Sequence, residues 1–169
     1  RTVNYDKIFV SDLLRTRQTA EILFPEKYRA GELEFTEDLR EIDTGVFFGR
    51  TLEDMYRLYG DVYLDCRKKM DYSALGGEGS LDVKRRVRRF MNHLEEMAHE
   101  SRGELKIAAV AHGGVIRAAA TMIAGFPEDY PFGRFPLRID NCSVSVFRFR
   151  EKTGGWEIEK LNCGEPTLE

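Results

Sequence analysis

The chain alternates short apolar runs with stretches of helical periodicity. DKIFV at 6–10 is a compact apolar run and predicts a buried strand. Residues 12–24 follow, with Leu13, Leu14, Ala20, Ile22 and Leu23 as apolar positions, and predict a helix that Pro25 stops. Residues 51–70 carry an irregular helical pattern through Leu52, Met55, Tyr56, Tyr59 and Leu64. LGGEGS at 75–80 is a glycine-rich loop. Ser80 is the expected N-cap of a helix over 81–99, whose apolar stripe is Val83, Val87, Phe90, Met91, Leu94 and Met97.

ELKIAAVA then gives a near-continuous apolar run over 105–111, the pattern of a strand buried on both faces in a parallel sheet. A helix of small residues is expected over 114–124, ended by Gly125 and Pro127. SVSVFRF at 143–149 and WEIEKL at 156–161 alternate with period 2, and TGG at 153–155 joins them as a hairpin. Strands separated by helices predict an α/β sandwich with an antiparallel edge at the C-terminus.

Composition narrows the picture modestly. The 169 residues suffice for one domain, 1–169, with a sizeable core, and 42% hydrophobic with 33% charged residues is ordinary for a globular chain. A net charge of −3 gives no bulk attraction to nucleic acid or to an anionic membrane. No apolar run has the length of a membrane span and no signal peptide is visible. Cys66, Cys142 and Cys163 are odd in number and widely spaced, which fits a reduced, cytoplasmic protein better than a disulfide scaffold or a zinc site. Nothing in the sequence sets an oligomeric state. The basic cluster KRRVRR at 84–89 could contact nucleic acid. Yet Lys84, Arg85, Arg88 and Arg89 fall on the polar side of an amphipathic helix, so a solvated face is expected.

Candidate chemistry gathers at two strand ends. In open α/β sheets ligands sit at the carboxyl ends of the parallel strands. DKIFV runs into Ser11, and the next helix carries Arg15 in its first turn. KIAAV runs into His112, Gly113 and Gly114 and then another helix. Glycines at such a turn let backbone approach a ligand, and the helix start offers free N–H groups to an anion. An arginine at the same edge suits phosphate, which a guanidinium binds bidentately. Each residue alone has an ordinary reading: a hydrogen-bonded structural histidine, a solvated arginine, an exposed loop carboxylate at Glu41.

The order of the pieces is more specific. SDLLRTRQTAEIL, LREIDTGVFFG, GGEGSLDVKRRV and VAHGGVIRA, in that order and over essentially the whole chain, resemble the histidine phosphatase superfamily, also called the phosphoglycerate mutase-like family. The resemblance implies a three-layer α/β/α sandwich with a mostly parallel sheet. It implies that Arg15 and the Gly113 N–H bind the phosphoryl group, that His112 stands beside it, and that Glu41 donates and accepts the proton of the leaving group. Glu78 and Asp82 match acidic positions read as structural.

Departures accompany the match. Phe47 and Phe48 stand where the family usually has tryptophan and an acidic residue, and Gly79 stands for a serine. The expected rim is therefore more apolar, and burial beside Phe47 and Phe48 would help Glu41 carry a proton. The family's Arg-His-Gly motif, which supplies the nucleophilic histidine on a central first strand, is absent from residues 1–10. The chain starts at Arg1 rather than methionine. The resemblance implies that this strand lies upstream, seated between the strands at 6–10 and 105–111.

The expected protein is then a phosphomonoester hydrolase of the phosphatase branch, working through a phosphohistidine on a small phosphorylated metabolite. It needs no cofactor and no metal, since two of the three histidines lie on the 81–99 helix and no clustered carboxylates appear. The short separation of Glu41 from Glu78 disfavours the alternative, a mutase, whose family members carry a long insertion there. A non-catalytic phosphate-binding or regulatory domain is the second alternative, disfavoured by the presence of Glu41.

Overall fold

The computed structural model describes residues 3–101 and 103–164; the ends of the expected 1–169 domain, 1–2 and 165–169, lie outside the described residues. The apolar run after Asp6 forms β1 (Lys7–Ser11). Its side chains alternate between two cores, Phe9 on one face and Ile8 and Val10 on the other. β1 is the centre of a parallel sheet in the order β2 (Glu34–Thr36), β1, β3 (Ile107–Val110). A strand with sheet neighbours on both edges and helices on both faces is apolar through its middle, and Ile8, Phe9 and Val10 are buried, as is the polar Ser11 at its end.

Three layers result. Against Ile8 and Val10 pack Ala20 of α1 (Leu14–Leu23), Phe24, and Tyr28 of α2 (Pro25–Arg29). Against Phe9 pack Val83, Val87, Phe90 and Met91 of α5 (Ser80–Glu100) and Val115, Ala118 and Ala119 of α6 (Gly113–Ile123). α3 (Leu52–Tyr59) and α4 (Asp61–Lys69) form a small subdomain around Phe47, Tyr63 and Tyr72. β4 (Val144–Arg150) and β5 (Gly155–Cys163) make the antiparallel hairpin. Phe147 and Trp156 seat it on the α5–α6 core, with Trp156 Nε1 donating to Glu95 Oε1 at 2.7 Å.

Several boundaries differ from the sequence pattern. Pro25 does stop α1, but it also opens α2, because a proline at the first helical position forfeits no intrahelical bond. The 51–70 pattern breaks at Gly60, whose φ of +46° turns the chain between α3 and α4. Gly79, not Ser80, caps α5: its N–H donates to Asp82 Oδ2 at 3.0 Å, while the Ser80 hydroxyl accepts the N–H of Phe132. β2, at three residues, is too short to carry a readable period. Lys84 is not solvated. It is buried, and its ammonium donates to the carbonyls of Pro127, Glu128 and Tyr130 at 3.2, 2.9 and 2.7 Å. Burial pushes its pKa down, and the exposed members of that cluster are Arg85, Arg88 and Arg89.

The largest correction concerns β3. No strand intervenes between it and β1: Lys7 pairs with Ile107, Ile8 with Ala108, Phe9 with Ala109 and Val10 with Val110 in one parallel ladder. Nor is β3 buried on both faces, because Ala109 is exposed and its neighbours half-buried. The reason lies at its second edge, which has no ladder partner among the described residues.

Candidate active site

The parallel sheet delivers Ser11 and His112 to one edge. Ser11 ends β1, and His112 follows β3 as the N-cap of α6. Both are buried, and the Ser11 Oγ and His112 Nε2 are hydrogen-bonded at 2.9 Å. The ring is held well below the usual histidine range, at a pKa of about 4, first by burial and then by the positive charge of Arg15. Glu41 opposes the shift and Arg86 adds to it. Arg15 itself is an exposed residue of the first turn of α1.

Glu41 occupies the start of α6. Its carboxylate accepts the N–H of Gly114 at Oε2, 3.2 Å, and that of Ile42 at Oε1, 3.0 Å. An anion there is favoured by the free N–H groups and the positive end of the helix dipole. The contact also explains one of the two glycines. A Cβ on Gly114 would lie 2.0 Å from Glu41 Oε1, whereas one on Gly113 would meet only the Ile139 side chain, at 3.6 Å. Close approach therefore constrains Gly114, and the constraint comes from the protein's own carboxylate. The Gly113 N–H stands at the first position of α6.

The loop that carries Glu41 is clamped at both ends. Before it, the Arg40 guanidinium donates to both carboxylate oxygens of Asp12, at 2.7 and 2.5 Å, which ties the loop to the residue after Ser11 and holds the Asp12 carboxyl below its usual range. After it, Glu78 accepts the Asp43 N–H and pairs bidentately with buried Arg86, which also donates to the Asp38 carbonyl. Gly45, at φ +57°, lets this loop run against the 75–77 turn: a Cβ there would lie 2.3 Å from the Leu75 carbonyl oxygen. Glu78 and Asp82 thus serve the framework, the reading given to the acidic positions they match in the family resemblance.

The two phenylalanines separate. Phe47 turns into the aromatic cluster of Tyr59, Tyr63 and Tyr72, while Phe48 is exposed, so they do not jointly form an apolar wall. His93 packs edge-on against Phe9, and His99 packs on Phe149 and pairs with Glu151; neither is brought to His112. Among the described residues, no group of three or more His, Cys, Asp or Glu side chains could hold a metal ion, and no helix is long and apolar enough to cross a membrane. A groove of about 520 Å³ beside Lys84, Arg88, Met122 and Phe126 shares no residue with this site. Sequence reasoning named Arg15, Glu41, His112 and Gly113 but missed Ser11 and Arg86. Ser11 opens the SDLLR stretch, which was the available signal. Arg86 was hidden among four neighbouring basic residues.

A three-layer α/β/α protein whose polar groups gather where parallel strands end and a helix begins is the class defined here. The chain belongs to the histidine phosphatase superfamily (branch 1), whose family model matches residues 1–164. It is 28% identical over 167 residues to the "Probable phosphoglycerate mutase GpmB" of Salmonella paratyphi A, covering 94% of this chain and 72% of that protein. It is 30% identical over 168 residues to the fructose-2,6-bisphosphatase TIGAR B of Danio rerio, covering 98% of this chain and 61% of that one. In fold it is similar to the α-ribazole phosphatase of Shigella flexneri (TM-score 0.77, 22% identity, 99% of this chain and 78% of that). It is also similar to a mycobacterial glucosyl-3-phosphoglycerate phosphatase (TM-score 0.76, 24% identity, 95% and 78%).

Proposed function

We propose that this protein is a cytoplasmic, metal-independent phosphomonoester hydrolase acting on a small phosphorylated metabolite through a phosphohistidine. The observation that carries the reading is the meeting of three separate segments at the start of α6: Glu41 bonds to Gly114, two residues from the buried His112, which bonds to Ser11 at the end of β1. Family membership and the phosphatase names among its relatives support it.

In this reading the phosphoryl oxygens lie among Arg15, His112 and the Gly113 N–H. These donors stabilise the charge that builds as the ester bond breaks, the dominant contribution in phosphoryl transfer. A histidine on an upstream strand attacks phosphorus and takes the phosphoryl group. Glu41 gives a proton to the leaving alcohol and takes one from the water that then releases phosphate.

The test is a phosphatase screen on the full-length protein, followed by Glu41→Gln. Loss should be far larger for alkyl phosphates than for p-nitrophenyl phosphate, whose leaving group needs little protonation. Equal losses for both would refute the role of Glu41. The relative named as a mutase gives a second reading, transfer to a substrate hydroxyl. It is distinguished by the acceptor: phosphoglycerate isomers would interconvert faster than phosphate is released.

A further inference from the structure

The mechanism above uses the N–H groups around His112 but leaves open why a serine is buried against the ring. Ser11 is fully buried, and its backbone is fixed on three sides. It pairs with Thr36 in β2, its carbonyl accepts the Thr16 hydroxyl at 2.8 Å, and Asp12 after it is gripped by Arg40. Its hydroxyl therefore has little freedom. Among the described residues that hydroxyl has one partner, Nε2 of His112, at 2.9 Å.

Counting protons decides the direction of the bond. A serine hydroxyl carries one donor and two acceptor positions, and a neutral imidazole carries one donor and one acceptor. If Nε2 held the ring proton and donated to Oγ, the buried hydroxyl proton would point at no acceptor. If Oγ–H donates to Nε2, both groups are satisfied and the ring proton sits on Nδ1. Leaving a buried donor unmade costs about 1–3 kcal/mol, enough to fix the choice. The other nitrogen, Nδ1, bonds to no group among the described residues. It is not sealed either, because Arg117 Nε is the sole buried side-chain polar atom without a partner there.

We propose that Ser11 is a positioning residue for His112: by donating its hydroxyl proton to Nε2 it fixes the ring in the Nδ1–H tautomer, so that the open nitrogen is a donor. This deepens the phosphatase reading and rests on it for the identity of the acceptor. Phosphoryl oxygens accept and do not donate at the bridging and terminal positions of a dianion. An imidazole facing them through a lone pair would repel them, whereas one facing them through N–H adds a hydrogen bond. Because the ring is neutral near pH 7, the tautomer alone decides between these cases.

The tautomer can be read directly in full-length protein labelled with ¹⁵N-histidine. Long-range ¹H–¹⁵N correlations at pH 7 distinguish protonated from unprotonated ring nitrogens, with His112→Gln supplying the assignment. Wild-type protein should show Nδ1 protonated and Nε2 bare. Ser11→Ala should populate the Nε2–H form, and Ser11→Thr, which retains the hydroxyl, should restore the wild-type pattern. Vanadate serves as the anion probe, and its affinity should fall about tenfold or more in Ser11→Ala and recover in Ser11→Thr. A protonated Nε2 in wild-type protein overturns the proposal without any variant. An unchanged tautomer in Ser11→Ala overturns it as well. A shifted tautomer with unchanged vanadate affinity sustains the role of Ser11 on the ring and overturns the phosphate-ester reading of the site, so the two failures are separable.

Discussion

Replacing Gly114 by alanine should separate the stability of the protein from the chemistry of Glu41. The new Cβ would lie 2.0 Å from Glu41 Oε1 and 3.1 Å from its carboxyl carbon, so the carboxylate has to leave. It is the far end of a flexible, half-buried side chain and can swing into water. It then loses its bonds to the N–H groups of Gly114 and Ile42, each worth about 1.5–3 kcal/mol as a charged hydrogen bond before water replaces it. Against this, alanine in a helix is favoured over glycine by up to about 1 kcal/mol. With rehydration of the freed carboxylate, the net change in stability should stay within about 1–2 kcal/mol. The activity change should be much larger. A general acid contributes about 10²–10⁴ in rate, and an acid moved out of reach forfeits most of that for a poor leaving group. Thermal melts and kcat/KM on p-nitrophenyl phosphate and on an alkyl phosphate, compared between wild-type and Gly114→Ala, give the answer. A near-native melting temperature with a selective loss on the alkyl ester is expected. Equal activity on both esters at wild-type level would refute the placement of Glu41, and a collapse of stability would refute the claim that its carboxylate can move.

Further outcomes follow from other parts of the structure. His112 has a folded-state pKa of about 4 against 6.5 for a free ring, so between these values the unfolded chain binds a proton that the folded chain refuses. Stability should therefore fall by about 3 kcal/mol as pH drops from 6.5 to 4, and the difference between urea midpoints of wild-type and His112→Gln should change across that window and not above it. Lys84→Met removes the ammonium that three carbonyls share and should destabilise by about 1–3 kcal/mol, with faster hydrogen exchange over 127–130; an unchanged urea midpoint would contradict the buried role of Lys84. Arg15→Ala should lower kcat/KM for every phosphate ester by about 10²-fold or more while leaving the melting temperature nearly unchanged, because Arg15 is exposed and its expected work is on transition-state charge. It should also raise the His112 pKa, which an NMR titration of the ring would detect.

Much of this protein was determined by local sequence. Period-2 and period-3.6 patterning specified a layered α/β fold, the hairpin after residue 143 and the amphipathic α5. Four motifs in order named the family and brought Arg15, Glu41, His112 and Gly113 forward. What the sequence alone did not decide were contacts between residues far apart in the chain. The β1–β3 ladder is one: two apolar runs can be adjacent or separated by a strand with the same periodicity, and only hydrogen-bond register distinguishes them. The role of Gly114 is another, because a close approach is invisible until the partner, Glu41, is in place. Lys84 and Arg86 lie in a run that reads as solvated, yet each turns inward to backbone carbonyls or a carboxylate that only the packed loops supply. The Ser11–His112 pair belongs to the same kind, since it exists only because two parallel strands end at the same edge of one sheet. Local patterning reports which face of an element is buried; which polar group meets which across that face is set by topology and register, and those belong to the tertiary structure.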